Sequence, residues 1–314
     1  MSALATRHLL TIEDITAQEI HSILDIATSF KEVNERTIKK LPTLRGRTII
    51  NLFLEPSTRT RTSFEIAAKR LSADGINFTA SASATTKGES LVDTAQTLDA
   101  MDCDLVIIRH AFAGSPRILA NNMRAHIING GDGKHQHPTQ ALLDLFTIRE
   151  HFGHLEGLKV AIVGDIAHSR VFGSLSPALN MVGAQVTAIA PKTLLPANPE
   201  VLGAQTTTSI DELLPSFDVV YMLRIQQERI ERSPIPTLRE YARLYGVNKD
   251  RLARMKPGSI LMHPGPVNRG VELSSDTIDT ARNLLLYQVN AGVAVRMALM
   301  YLLLGGGEGD GLAA

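Results

Sequence analysis

The stretch TIINLFLEPSTRTRTSFE, residues 48–65, changes character twice, and its reading sets the fold class. The first part is a nearly continuous apolar run rich in β-branched residues, which suits a parallel strand buried on both faces. From Ser57 onward the period changes. Phe64, Ala67, Ala68 and Leu71 recur at helical spacing, so a helix with one buried face begins near Ser57. Pro56 fits a tight corner between the two, and Ser57 is a favourable N-cap. The corner gathers Ser57, Thr58, Arg59 and Thr60 where unpaired backbone N–H groups and the positive end of the helix dipole favour an anion. Arg59 adds a planar fork of donors matched to phosphate oxygens. An ordinary capped helix with solvated arginines shares this local pattern, so the rest of the chain must decide between the two.

Outward from this stretch, strand and helix signals alternate to both ends. Thr16 with Glu19 forms a capping box opening a helix through Ile20, Ile23, Leu24, Ala27 and Phe30. After the corner come the strand INFTA, a helix over 92–101, the strand DLVIIR, a short helix after Pro116 and the strand AHIING. Pro138 then opens a helix carrying Leu142, Leu145, Phe146 and Arg149. A second series follows, with LKVAIVGD, a helix over 174–182, AQVTAIA, FDVVYML and GSILMHP. This predicts an α/β chain of two doubly wound parallel-sheet domains joined by an interdomain helix. The expected domains are 1–140, completed by a C-terminal helix at 291–306 that returns to the first domain, and 141–290.

Ligands in such folds bind at the carboxyl ends of strands. Those ends read EPSTRTR, Arg109-His110, GDGKHQHPTQ, GDIAHSR, YMLRIQ and HPGPVNRG. Nearly every exit carries arginine, histidine, glutamine or a hydroxyl, which suits a small substrate with several negative charges. The global charge adds nothing, because 32 basic residues balance 32 acidic ones. Nucleic acid and anionic membrane surfaces are therefore not expected partners. The single cysteine, Cys103, rules out an internal disulfide and reads as a packed thiol in a reducing compartment. The N-terminus lacks the basic-then-apolar pattern of a signal peptide, so a cytoplasmic location is expected. The apolar stretch 284–304 is interrupted by Gln288, Asn290 and Arg296 and reads as a buried helix rather than a membrane span.

The missing motifs narrow the chemistry. VAIVGD is not followed by the G-x-G-x-x-G glycines, no Walker loop is present, and no serine sits in G-x-S-x-G. His135 and His137 lie two apart with no accompanying carboxylate pattern, so neither a zinc site nor any other metal or cofactor is expected. A site rich in donors but without a covalent nucleophile suits direct transfer between two bound substrates.

PSTRTR, KGES, RH, HPTQALLDLFTI, YMLRIQ and HPGPVNRG stand in the order and spacing of aspartate carbamoyltransferase catalytic chains, and the chain resembles that family from RHLLT to VRMALMYLLL. PSTRTR marks carbamoyltransferases generally. HPTQALLD with RIQ and HPGPVNRG resembles the aspartate enzymes more specifically. An ornithine-directed relative is expected to show an H-C-L-P cysteine and an aspartate near S-M-G, and this chain has His263-Pro264-Gly265-Pro266 instead. The resemblance implies that Ser57, Thr58, Arg59 and Thr60 hold the phosphate of carbamoyl phosphate and that Arg109 bridges its phosphate and carbonyl regions. It implies that His137 points at the carbonyl oxygen, and that Gln140, Gly265 and the Pro266 carbonyl serve the carbamoyl group. Many relatives carry leucine where this chain has Gly265. Arg170, Arg224 and Gln226 are implied to grip the carboxylates of L-aspartate.

By the same resemblance, Ser83 and Lys87 of the TTKGES loop act in the neighbouring subunit's site, which implies a homotrimer. Glu55 is implied to latch the domains through Arg170 and Arg229. Regulatory or dihydroorotase subunits are the further partners that the family suggests. Two alternatives stay open on the residues: a carbamoyltransferase with a different amine acceptor such as ornithine, and a non-catalytic carbamoyl-phosphate-binding module. A nicotinamide-dependent dehydrogenase stands well behind both.

Overall fold

The computed structural model describes residues 4–79, 90–198, 203–226, 235–280 and 282–305. The chain forms two compact units, Met1–Phe146 with Val289–Ala314, and Thr147–Gln288. Each unit is built on one parallel sheet.

In the first unit, the opening stretch folds as read: β1 (Thr48–Phe53) runs into α2 (Thr58–Arg70) through the 54–57 corner. α1 (Ala17–Glu35) precedes them and begins with the expected capping box. Glu19 N–H donates to Thr16 Oγ1 at 3.2 Å, and Thr16 N–H donates to Glu19 Oε2 at 2.8 Å. Then follow β2 (Asp74–Thr79), α3 (Leu91–Ala100), β3 (Leu105–His110), α4 (Ser115–Asn122) and β4 (His126–Asp132). The strands pair in the order β2-β1-β3-β4, every pair parallel. The chain thus steps from β1 to one side and then crosses to the other, the doubly wound pattern. The strand residues Ile50, Leu52, Val106, Ile108 and Ile127 are buried in one apolar cluster with Leu98 of α3 and Leu119 of α4.

α5 (Pro138–Phe152) begins in the first unit and carries the chain into the second. There β5 (Lys159–Val163), α6 (Arg170–Met181), β6 (Gln185–Ile189), β7 (Ala204–Thr207) and β8 (Val219–Met222) are followed by α7 (Leu238–Tyr245), α8 (Lys249–Arg254), β9 (Ile260–Met262) and α9 (Ser275–Ile278). The sheet order is β7-β6-β5-β8-β9, again parallel throughout. β7, α7, α8 and α9 were absent from the sequence expectation. β7 is an edge strand in which only Ala204 is buried, so it has no apolar run to announce it. α6 starts at Arg170, four residues ahead of the expected Ser174, because Ser169 caps it by accepting the Phe172 N–H at 3.2 Å.

α10 (Leu285–Leu303) is mostly apolar, broken by Gln288, Asn290 and Arg296, and is long enough to cross a membrane, yet most of it is buried. Its second half packs on helices of the first unit. Tyr301 meets Phe30 of α1 edge-on at 5.8 Å between ring centroids, and the Arg296 guanidinium lies 4.9 Å from the Phe64 ring of α2. Cys103 is buried as expected, and burial pushes its thiol pKa up to about 11.

One glycine positions a strand exit. Gly164, directly after β5, has φ of +137°, and a Cβ there would stand 2.6 Å from the Leu223 carbonyl oxygen. Replacement by alanine therefore combines a disfavoured backbone conformation with a backbone clash beside Arg224. Gly164→Ala is expected to cost about 2 kcal/mol in urea unfolding. A midpoint and slope matching the wild type would contradict this reading.

Candidate functional site

All strands of a parallel sheet point the same way, so the exits of β1, β3 and β4 emerge side by side at one edge of the first unit, about 5 Å apart per strand. The first exit is the corner. Ser57 stands at the N-cap position in extended conformation, but its side chain makes no capping hydrogen bond, which corrects the expected capping role. The hydroxyl therefore does not occupy the N–H groups of the first helical turn. Thr58 and Arg59 are exposed, whereas Thr60 is buried.

The second exit carries Arg109, which lies opposite Phe53 in the β1–β3 register. Its Nη1 donates to the Gly130 carbonyl at 3.2 Å, and its Nε lies 3.4 Å from Glu55 Oε2. Glu55, expected as an interdomain latch, thus pairs with the arginine of the neighbouring strand in its own unit. Sequence reasoning missed this pairing, which arises from strand adjacency.

The third exit brings His137 and Gln140 to the start of α5, both buried. Asp132, which sequence reasoning also missed, organises the turn before them. Its Oδ1 accepts from Asn129 Nδ2 at 2.8 Å and from the Gln136 N–H at 3.0 Å. Its Oδ2 accepts from the Gly114 N–H at 2.8 Å and lies 3.1 Å from His135 Nδ1. His135 therefore does have a carboxylate partner, contrary to the sequence expectation. Still, no group of three His, Cys, Asp or Glu among the described residues could hold a metal ion. Burial raises the Asp132 pKa, but the bonds from His135, Asn129 and Gly114 outweigh it, and the net shift is downward. The same pairing raises the His135 pKa, against burial.

The second unit repeats the arrangement at the exits of β5, β8 and β9. Arg170 is the first residue of α6 and is buried. Arg224 and Gln226 follow β8, each partly exposed, and Gln226 Oε1 is a buried acceptor with no partner among the described residues. Gly265 and Pro266 follow β9, joined by a cis peptide, with Gly265 at φ +59°, where glycine carries no Cβ penalty. Two buried carboxylates brace these exits, and neither was singled out in the sequence. Glu272 accepts from the Ile225 N–H at 2.9 Å, the Asn268 N–H at 2.7 Å and Asn268 Nδ2 at 2.8 Å. It ties the segment holding Arg224 and Gln226 to the segment after Pro266. Asp165 lies 2.7 Å from His168 Nδ1. Burial raises the pKa of both acids despite these donors. Ser83, Lys87 and Arg229 lie outside the described residues.

Residues 7–150 match the family described as aspartate/ornithine carbamoyltransferase, carbamoyl-P binding domain, and residues 156–303 match its Asp/Orn binding domain. The chain belongs to the aspartate/ornithine carbamoyltransferase family. It is 56% identical over 300 residues to the aspartate carbamoyltransferase catalytic subunit of Syntrophotalea carbinolica, covering 96% of each chain. It is 55% identical to that of Thermobifida fusca over 300 residues, again covering 96% of each. Among solved structures, aspartate transcarbamoylase from Trypanosoma cruzi in complex with carbamoyl phosphate and aspartate is similar, with a TM-score of 0.86 at 30% identity over 94% of this chain and 95% of that one. Ornithine carbamoyltransferase from Pyrococcus furiosus has the same TM-score and identity over 98% and 99%. Backbone likeness alone therefore does not separate the two acceptors.

The Asp132 network sets a pH dependence for the family site. A carboxylate with a depressed pKa contributes stability above its unfolded value, about 3.9, and loses it as pH falls through the folded value. His135, with a raised pKa, contributes below about 6.5 and loses its share as pH rises through its folded value. Asp132→Asn is expected to lower unfolding stability at pH 6 by about 2 kcal/mol. It should also flatten the loss between pH 6 and 3 in urea titrations. Parallel pH profiles for variant and wild type would contradict the assignment.

Proposed function

We propose that this chain catalyses carbamoyl transfer from carbamoyl phosphate to L-aspartate, yielding N-carbamoyl-L-aspartate and phosphate, an early step of pyrimidine synthesis. The observation that carries the aspartate reading is identity of 51–56% over nearly the full length to relatives named as aspartate carbamoyltransferase catalytic subunits. The chemistry of the second unit agrees. Arg170 and Arg224 offer two guanidinium groups at adjacent strand ends, one for each carboxylate of a dicarboxylic amino acid.

On this reading Ser57, Thr58, Arg59 and Thr60 hold the phosphate of the donor, and Arg109 spans its phosphate and carbonyl. The aspartate amine, once deprotonated, attacks the carbamoyl carbon. A C–N bond forms, the carbonyl oxygen gains negative charge, and Thr58, Arg109 and His137 stabilise it. The bond from the carbamoyl carbon to the bridging phosphate oxygen then breaks, phosphate leaves with the electron pair, and it takes up the amine proton. His137 serves as a hydrogen-bond donor. Gln140, with Gly265 and the Pro266 carbonyl, orients the carbamoyl amide. Gln226, whose buried Oε1 has no partner among the described residues, accepts from aspartate. Glu55 and Arg229 act in domain closure. Ser83 and Lys87 reach the site of a neighbouring subunit in a homotrimer, in a cytoplasmic setting that suits the buried Cys103 thiol.

The test is a steady-state assay with carbamoyl phosphate and either aspartate or ornithine. Turnover is expected with aspartate alone, and His137→Ala should lower kcat by about 100-fold. Turnover with ornithine, or phosphate binding without turnover, would overturn the reading. Mixing inactive Arg59→Ala and Lys87→Ala chains should restore part of the activity, while no recovery would place each site within one chain.

A further inference from the structure

Arg296 is buried inside the first unit on the mostly apolar α10, and the carbamoyl-transfer steps above make no use of it. Its Nη1 donates to Ser63 Oγ at 2.7 Å, and its guanidinium lies over the Phe64 ring. Both partners belong to α2, the helix whose first turn is the anion corner. Burial pulls the Arg296 pKa down to about 10, against the upward pull of the Asp144 charge, so the group remains a cation at neutral pH. Asp144 itself is fully buried, one helical turn after Gln140 on α5. Gln140 Nε2 donates to Asp144 Oδ1 at 3.0 Å. A carboxylate only accepts hydrogen bonds, so the group of Gln140 that faces it must be the NH2. The Gln140 carbonyl oxygen is thereby the end left for another donor.

We infer that Asp144, in the field of the Arg296 cation, is a positioning residue that fixes the Gln140 amide with its oxygen presented to the NH2 group of the donor substrate. The pair makes the site selective for a phosphorylated carboxamide over other anions of similar size. This rests on the proposed role of Gln140 at the carbamoyl group. The same cation is hydrogen-bonded to Ser63 of α2, and its charge acts on Asp144 within α5. Gly292 makes room for it, since a Cβ there would stand 2.6 Å from Arg296 Nη1.

The test compares two probes on the full chain by titration calorimetry. Phosphonoacetamide carries the amide, whereas inorganic phosphate does not. The wild type is expected to prefer phosphonoacetamide, and Gln140→Ala should abolish that preference. In Asp144→Asn the new side chain can donate to Gln140 Oε1, so the amide can turn over. Its affinity for phosphonoacetamide should fall about tenfold, with phosphate affinity changed less than about twofold. Gly292→Ala leaves Gln140 and Asp144 in place, crowds the guanidinium and favours helix. It should cut the preference about threefold and keeps the inference testable if Asp144→Asn does not fold. An unchanged preference in either folded variant, or equal weakening of both probes, would overturn the positioning role. A wild type that shows no preference, or one insensitive to Gln140→Ala, would instead overturn the role of Gln140 on which it rests.

Discussion

Removing a phosphate dianion from water is costly unless cations and N–H dipoles already stand where it will bind. On the proposed reading, the strand-to-helix corner of the first unit meets that constraint. The end of β1 delivers the chain to a helix start, where the dipole and the N–H groups favour negative charge, and the adjacent strand delivers Arg109 beside it. Glu55 holds that arginine in place at 3.4 Å, and the Gly130 carbonyl holds its other end. Preorganisation of this kind places the donors before the transition state forms, so little reorganisation is needed at the moment of reaction.

Buried acids hold the segments around the strand exits. Asp132 secures the turn before His137, Asp144 sets Gln140, and Glu272 joins the segment after β8 to the segment after β9. Each of these carboxylates accepts N–H groups that the irregular backbone or an amide side chain would otherwise leave unsatisfied. A buried carboxylate with several donors fixes a loop conformation more sharply than an apolar contact, because loss of any one bond exposes a costly unpaired group. The two sheets thus supply the direction of the side chains, and the acids supply their precision.

The fold was legible because each strand of a parallel sheet is a short apolar run and each crossover helix has its own period. β7 escaped because an edge strand buries little. The strand-to-helix corner was legible because the apolar run of β1 and the helical period of α2 meet in consecutive residues around Ser57. Gln140 and Asp144 lie in one motif at helical spacing, whereas Arg296, the buried cation whose charge acts on Asp144, comes with α10 from the far end of the chain. Glu272 and the Arg109–Glu55 pair were illegible for the same reason: strand order, not sequence proximity, makes them neighbours.

The central claim is that one set of residues holds the phosphate at the 57–60 corner while Arg170 and Arg224 hold a dicarboxylic acceptor. N-(phosphonacetyl)-L-aspartic acid joins both halves in one unreactive molecule, so its crystal complex tests the claim most directly. The account predicts the phosphonate within hydrogen-bond distance of Ser57, Thr58, Arg59, Thr60 and Arg109, with one carboxylate on Arg170 and the other on Arg224. A bound ligand whose phosphonate lies away from that corner, or whose carboxylates meet neither arginine, would contradict it.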